Sequence, residues 1–161
     1  MLVDYNTLPN TARIWIYQSD RKFMANELEI IKKEGADFVN NWTRHGDHLK
    51  GSFTILYNQF LVLAIDESFA NASGCSIDSS VRFVKKIESQ LSIDLMNKLN
   101  ISFKDGENIN IVSLAEFQNY VKEGEITAET IVFNNMVKTK GEIELKWEVP
   151  AKDSWHQKFL N

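Results

Sequence analysis

Cysteine occurs once in 161 residues, so no internal disulfide can form and nothing points to an oxidising compartment. Basic residues are not in surplus. Eighteen Lys and Arg against 22 Asp and Glu leave a net charge of −4, which excludes sequence-independent binding to nucleic acid, because that needs excess cation against phosphate. No apolar run approaches the length of a bilayer. The start, Met1 to Pro9, lacks a basic region followed by an apolar core, so no signal peptide is expected there. No glycine is followed by the Lys-Ser/Thr ending of a phosphate loop, so no ATPase core is expected. Cytoplasmic location is the default expectation, with no membrane partner and no cofactor.

Apolar residues make up 43% of the chain and charged residues 25%, which excludes a disordered chain and leaves one domain or two very small ones. The chain is organised around residues 64–84. Phe60-Leu61-Val62-Leu63-Ala64-Ile65 is continuously apolar and reads as a strand buried on both faces, in the middle of its sheet. Asp66 and Glu67 end it. A small polar segment, Ser68 to Gly74, leads to a helix whose apolar positions Ile77, Val81, Val84, Ile87 and Leu91 share one face. Ser76 or Asp78 is expected to cap that helix.

Two readings of this segment stay open. In one, free N–H groups and the helix dipole make an anion or phosphate site, with Asp66, Ser73, Gly74, Cys75, Ser76, Ser79 and Arg82 as its residues and further hydroxyls such as Ser80 around it. Cys75 beside a helix start is then a potential nucleophile, although no base is placed next to it. In the other, the serines are caps, Gly74 serves a tight turn and Cys75 is a small buried residue. No catalytic set is complete, and no metal site is expected. His45 and His48 are three apart and His156 is distant in sequence, and three-residue spacing alone is weak. Asp66 and Glu67, adjacent on a strand, face opposite ways and cannot act as a pair.

Before this stretch, Arg13 to Gln18 reads as a strand with Ile14 and Ile16 on one face and Trp15 and Tyr17 on the other, the aromatic face covered by a second layer. Ser19-Asp20 breaks it and is expected to cap a long helix with Met24, Leu28, Ile31, Gly35, Phe38 and Trp42 on its buried stripe. Gly35 there implies close approach of another backbone or a bend. Gly46 is expected as the C-cap. Lys50 to Tyr57 alternates and forms a hairpin with the 60–65 strand through Asn58-Gln59.

The order strand, helix, strand, strand, helix is that of a split β-α-β, ferredoxin-like sandwich, with Ile101-Ser102-Phe103 available as its last strand. The remainder turns at Asp105-Gly106 and runs as strand 109–112. A helix follows, begun by the Ser113–Glu116 capping box and ended at Gly124, and then strand 130–133. Residues 142–149 alternate without a break and are expected to be a strand, the competing reading being a helix from Thr139. The aromatic tail, 153–160, is expected to dock. The fold class expected is α+β. A ferredoxin-like part spans 1–99 and a small ββαββ part 100–161, either as separate domains or packed as one unit.

Asp105-Gly106, Ser113-Leu114-Ala115-Glu116-Phe117, Gly124, Ile126 and Thr130-Ile131-Val132-Phe133 together resemble the bacterial GYF-2-like modules, with Trp147 standing for their late tryptophan. The resemblance covers about a third of the chain and lacks the Gly-Tyr-Phe signature. It implies a small adaptor, and GYF domains proper take proline-rich peptides on an aromatic surface. The whole chain resembles a small group of uncharacterised bacterial proteins. The stretches that carry this are Arg13 to Ser19, Gly74 to Phe83, and Asp153-Ser154-Trp155-His156. Its members are often labelled ABC transporter ATPases, a label the motifs here do not support. The functional expectation is a non-enzymatic protein-interaction or adaptor protein with a protein partner, monomeric or homodimeric. The alternative is an anion-binding protein or enzyme using residues 66–82.

Overall fold

The computed structural model describes residues 1–161, and the chain is an α+β protein. It divides into two compact units. One holds residues 1–96 with 138–141, and the other holds 97–137 with 142–161. No helix is long and apolar enough to cross a membrane.

The first unit is built on a three-stranded antiparallel sheet. Strands β1 (Arg13–Gln18), β4 (Gly51–Leu56) and β5 (Phe60–Ile65) lie in the order β1-β5-β4. All six residues of β5 are buried, as expected of a central strand with no polar face. The helices α1 (Ala25–Asn40) and α2 (Gly74–Leu91) cover the face that carries Trp15, Tyr17, Leu61, Leu63 and Ile65. Trp42 lies 5.9 Å from Trp15 and 5.0 Å from Phe38, and its indole N–H donates to the Ser76 carbonyl at 2.9 Å. The aromatic side of β1 is thus covered, and on the opposite side Ile14 is buried as well.

Several local expectations are corrected. Helix α1 starts at Ala25, and its first turn is closed by Glu27, which accepts from the Met24 N–H at 2.8 Å and forks to Arg21 at 2.7 and 2.8 Å. Ser19 instead stabilises the preceding turn, and Met24 is exposed. At Gly35 the close neighbour is a side chain, not a backbone: a Cβ there would lie 3.0 Å from the Phe53 ring. Gly46 does not cap α1, which ends at Asn40 with Asn41 as its C-cap. It turns the two-residue hairpin of β2 (Thr43–Arg44) and β3 (Asp47–His48), with His45 and Gly46 at φ 49° and 88°. Two successive positive φ angles match the right-handed twist of a hairpin, and glycine adopts one at no steric cost.

The second unit is a four-stranded antiparallel sheet. Strands β6 (Asn100–Asp105), β7 (Asn108–Ser113), β8 (Ile131–Phe133) and β9 (Glu148–Pro150) take the order β7-β6-β8-β9. Ile101-Ser102-Phe103 lies in this sheet and is not the last strand of the first one. Its hairpin partner is only a two-residue turn away, with Gly106 at φ 63°, and such a loop closes at far lower entropic cost than a long crossover. Beside β1 runs instead a short strap: the Ile14 N–H donates to the Lys138 carbonyl at 3.0 Å, and Arg13 bridges to Thr139.

Helix α3 (Leu114–Lys122) is capped by Ser113, which accepts from the Glu116 N–H at 3.2 Å, and Gly124 follows it at φ 79°. Phe117 and Val121 pack with Ile101, Phe103, Val112, Ile126 and Val132, against which Trp155 and Phe159 also lie. The expected strand at 142–149 is formed only at its end, where Glu148 and Val149 belong to β9. Lys140–Glu142 is a helical turn that widens into a π-helical turn at Ile143–Trp147. Alternation misleads there because only Trp147 is buried, with its indole N–H on Asn135 Oδ1 at 2.9 Å, while Leu145 is 76% exposed.

Candidate functional site

The segment between β5 and α2 is held by its own polar groups. Asp66 is 5% exposed, accepts from the N–H and hydroxyl of Ser68, and lies 3.5 Å from Lys50 Nζ. The Ser68 hydroxyl, more than any other group, holds its carboxyl below the usual range. Glu67 turns the other way, towards Arg13 at 3.9 Å and the Ala72 N–H at 3.1 Å. The two carboxylates therefore tie separate parts of the loop.

The cap of α2 is Ser73 rather than Ser76 or Asp78. Its Oγ accepts from the Ser76 N–H at 3.2 Å, and Ser76 Oγ reaches back to the Ser73 N–H at the same distance. This is a capping box with serine in both roles. Ser76 also donates its hydroxyl to the Thr43 carbonyl at 2.8 Å and is fully buried. Ser79 donates to the Cys75 carbonyl at 2.9 Å, and Ser80 to the Ile77 carbonyl at 2.6 Å. The buried face of α2 is accordingly Ser76, Ser80, Phe83, Val84, Ile87 and Leu91, rotated from the apolar stripe so that Ile77 and Val81 are only half-buried. Ser80 also meets the Tyr17 hydroxyl, whose pKa is raised by burial. No periodicity signal marks a serine whose hydroxyl folds back onto its own turn. Gly74 has open space where a Cβ would be, and Cys75 beside it is exposed, not buried as a small core residue would be.

Ser73, Gly74, Cys75 and Ser76 thus share one helical turn, while Asp66 is bonded elsewhere. Arg82 lies further along α2 with its guanidinium 3.2 Å from Ser79 Oγ. It belongs to a surface groove of about 380 Å³ between α1 and α2. The stacked rings of Phe38 and Phe83 line it, 4.5 Å apart and 8° from parallel. Glu34 and Asp37 stand on the α1 side, and Arg82 and Lys86 on the α2 side.

His45 and His48 lie on the exposed β2–β3 hairpin, and His156 is fully buried in the second unit. No three His, Cys, Asp or Glu residues converge in a metal-binding geometry. His156 Nδ1 is 2.7 Å from Ser154 Oγ, and its ring stacks on Trp155 at 3.8 Å. Burial pushes this imidazole down to about 4. A serine and histidine in hydrogen-bond reach is a nucleophilic arrangement only where substrate can enter. Ser154 is 6% exposed and His156 wholly enclosed, so the pair packs the core.

One surface of the second unit has unspent backbone groups. Strand β7 ends its sheet and pairs only with β6. The tight turn makes Asp105 and Asn108 a hydrogen-bonded pair, so the N–H and C=O groups of Ile109 and Ile111 point away from β6.

Fold and surfaces together define an α+β protein of two small sheet-based units, one with a charged interhelical groove and one with a bare sheet edge. No family model matches the chain, and neither a curated protein nor a solved structure matches it.

Proposed function

We propose that this chain is a non-enzymatic protein-interaction protein whose second unit takes an extended segment of a partner along β7. One observation carries the reading. Asn108-Ile109-Asn110-Ile111-Val112-Ser113 is an edge strand with no charge and no proline, paired on one side only. Proteins usually protect such an edge with lysine, proline or a bulge, because its free backbone groups recruit other strands. An edge left bare suits strand addition, in which main-chain bonds supply affinity and alternate side chains supply selectivity. The resemblance of residues 105–134 to GYF-2-like adaptors points the same way. The hydroxyls at the start of α2 are engaged by the chain's own atoms, which favours the interaction reading over an anion site there.

The test uses the full-length chain against a displayed library of random linear peptides. Enriched peptides should slow hydrogen exchange at Ile109 and Ile111. Their affinity should fall at least about tenfold in Ile111→Pro, which removes an outward N–H and leaves the β6 ladder intact. Ser79→Ala should bind as wild type. Failure to enrich any peptide, or protection confined to residues outside β7, overturns the reading.

A further inference from the structure

Helices α1 and α2 run antiparallel, with Glu34 level with Lys86, Phe38 level with Phe83, and Trp42 level with Ser76. The groove between them has an apolar floor of two stacked phenylalanines. One wall is acidic and the other basic. Glu34 and Lys86 pair across it at 3.0 Å, whereas the exposed Asp37 and Arg82 take part in no ion pair. Arg82 spends a single donor, on Ser79.

We propose that this groove is the interface of a homodimer whose twofold axis runs along the helix pair. Such an axis exchanges left for right and keeps every level. It lays α1 of one copy on α2 of the other, so that Asp37 meets Arg82 and Glu34 meets Lys86 across the interface. Both unpaired charges gain a partner, and each existing Glu34–Lys86 pair becomes half of an alternating square of four charges. The Phe38–Phe83 stacks of the two copies meet at the axis, giving an apolar centre within a charged rim, the usual anatomy of a specific contact. An axis across the helices would instead lay α1 on α1 and oppose acid to acid, an arrangement that like-charge repulsion rejects. Two-sided charge of this kind is complementary to itself, as an isologous interface requires. A single-signed ligand or partner would find half the rim repulsive. The inference lies in the first unit and does not depend on strand addition at β7.

The experiment is sedimentation equilibrium of the full chain and of two charge-reversed variants. Glu34→Lys with Asp37→Arg makes both walls basic, and Arg82→Glu with Lys86→Glu makes both acidic. Wild type should dimerise, and each variant alone should self-associate at least about tenfold more weakly. An equimolar mixture of the two should recover a dimer containing one copy of each. A wild-type chain that stays monomeric up to about 0.1 mM, beyond the range of a useful specific dimer, overturns the proposal. So does a dimer that both variants form as tightly as wild type, or a mixture that stays monomeric. Should one variant unfold, the other decides, and a dimer that it forms as tightly as wild type overturns the proposal. Raising salt from about 0.1 to about 1 M, which shortens the screening length from about 10 to about 3 Å, must weaken it if the charged rim holds it.

Discussion

The two units bury polar groups in different ways. In the first, buried polar side chains are met: Glu27 by Arg21 and the Met24 N–H, Ser76 by Thr43, Asp66 by Ser68 and Lys50, with Gln59 Oε1 left over. In the second, the smaller unit encloses Ser102 Oγ, Trp155 Nε1 and His156 Nε2 with no hydrogen-bond partner. An unmet buried polar atom costs about 1–3 kcal/mol, and a small core has less apolar area with which to offset it. The lesson is that the two units should differ in stability, with the second opening first.

The largest effect that can break this comparison comes from Phe117, fully buried at the centre of the second core. Phe117→Ala should cost about 3–5 kcal/mol. Native-state hydrogen exchange should then lose protection in β6 and α3 while Leu61–Ile65 keep theirs. Equal loss in both would show that the chain unfolds as one body.

Acid should separate the units next. The folded-state pKa of His156 is lowered from 6.5 to about 4, so the unfolded chain binds its proton first. Its contribution is whole above pH 6.5 and is lost as pH falls to about 4, amounting to at most about 3 kcal/mol. Glu27 is also lowered, from 4.5 to about 2, chiefly by its hydrogen bond from Arg21. Its contribution is whole above pH 4.5 and disappears as pH falls through about 2. Tryptophan fluorescence and exchange measured from pH 7 to pH 2 should therefore show the second unit loosening first. His156→Phe should flatten the upper step only.

A sharper contrast lies at Gly35. Alanine gains up to about 1 kcal/mol of helix propensity, but its Cβ would press on the Phe53 ring at 3.0 Å, and overpacking costs about 1–3 kcal/mol. Gly35→Ala should lower the thermal midpoint in wild type and raise it in a Phe53→Leu background. The smallest effects are at the caps. Ser73→Ala and Ser113→Ala should each cost about 1 kcal/mol by denaturant titration, the first in α2 and the second in α3.

Much of the architecture was legible where one physical signal acted alone. The unbroken apolar run of β5 has no polar residue to place outward, so its central position follows. Ser113 and Glu116 stand at capping-box spacing and do cap α3. The reading went wrong where two signals compete. Residues 142–149 alternate, yet Leu145 faces water and the backbone is helical as far as Trp147, following a turn anchored by Lys140. That side chain donates to the Asn6 and Leu8 carbonyls at 3.2 and 2.7 Å and sits 5.2 Å from the Tyr5 ring. Nothing in a lysine's neighbours marks it as buried. Of the candidate site, a helix following the polar segment was visible, but its cap was expected at Ser76 or Asp78 and is Ser73, and the Ser76 hydroxyl is directed by the Thr43 carbonyl, 33 residues away in sequence. The groove at Arg82 needed the pairing of two helices that no local pattern specifies.

The strap at 138–141 bears on how the chain is made. Lys140 and Gly141 donate backbone bonds to Ala12 and Asn10, and a Cβ on Gly141 would come within 3.1 Å of Asn10. The first unit thus ends in the sequence long after Met96, and a ribosome adding about 5–20 residues per second takes some seconds to supply its last piece. During that interval the outer edge of β1 is uncovered on the nascent chain. A stop codon or protease cut at residue 97 would release the same unfinished edge for good.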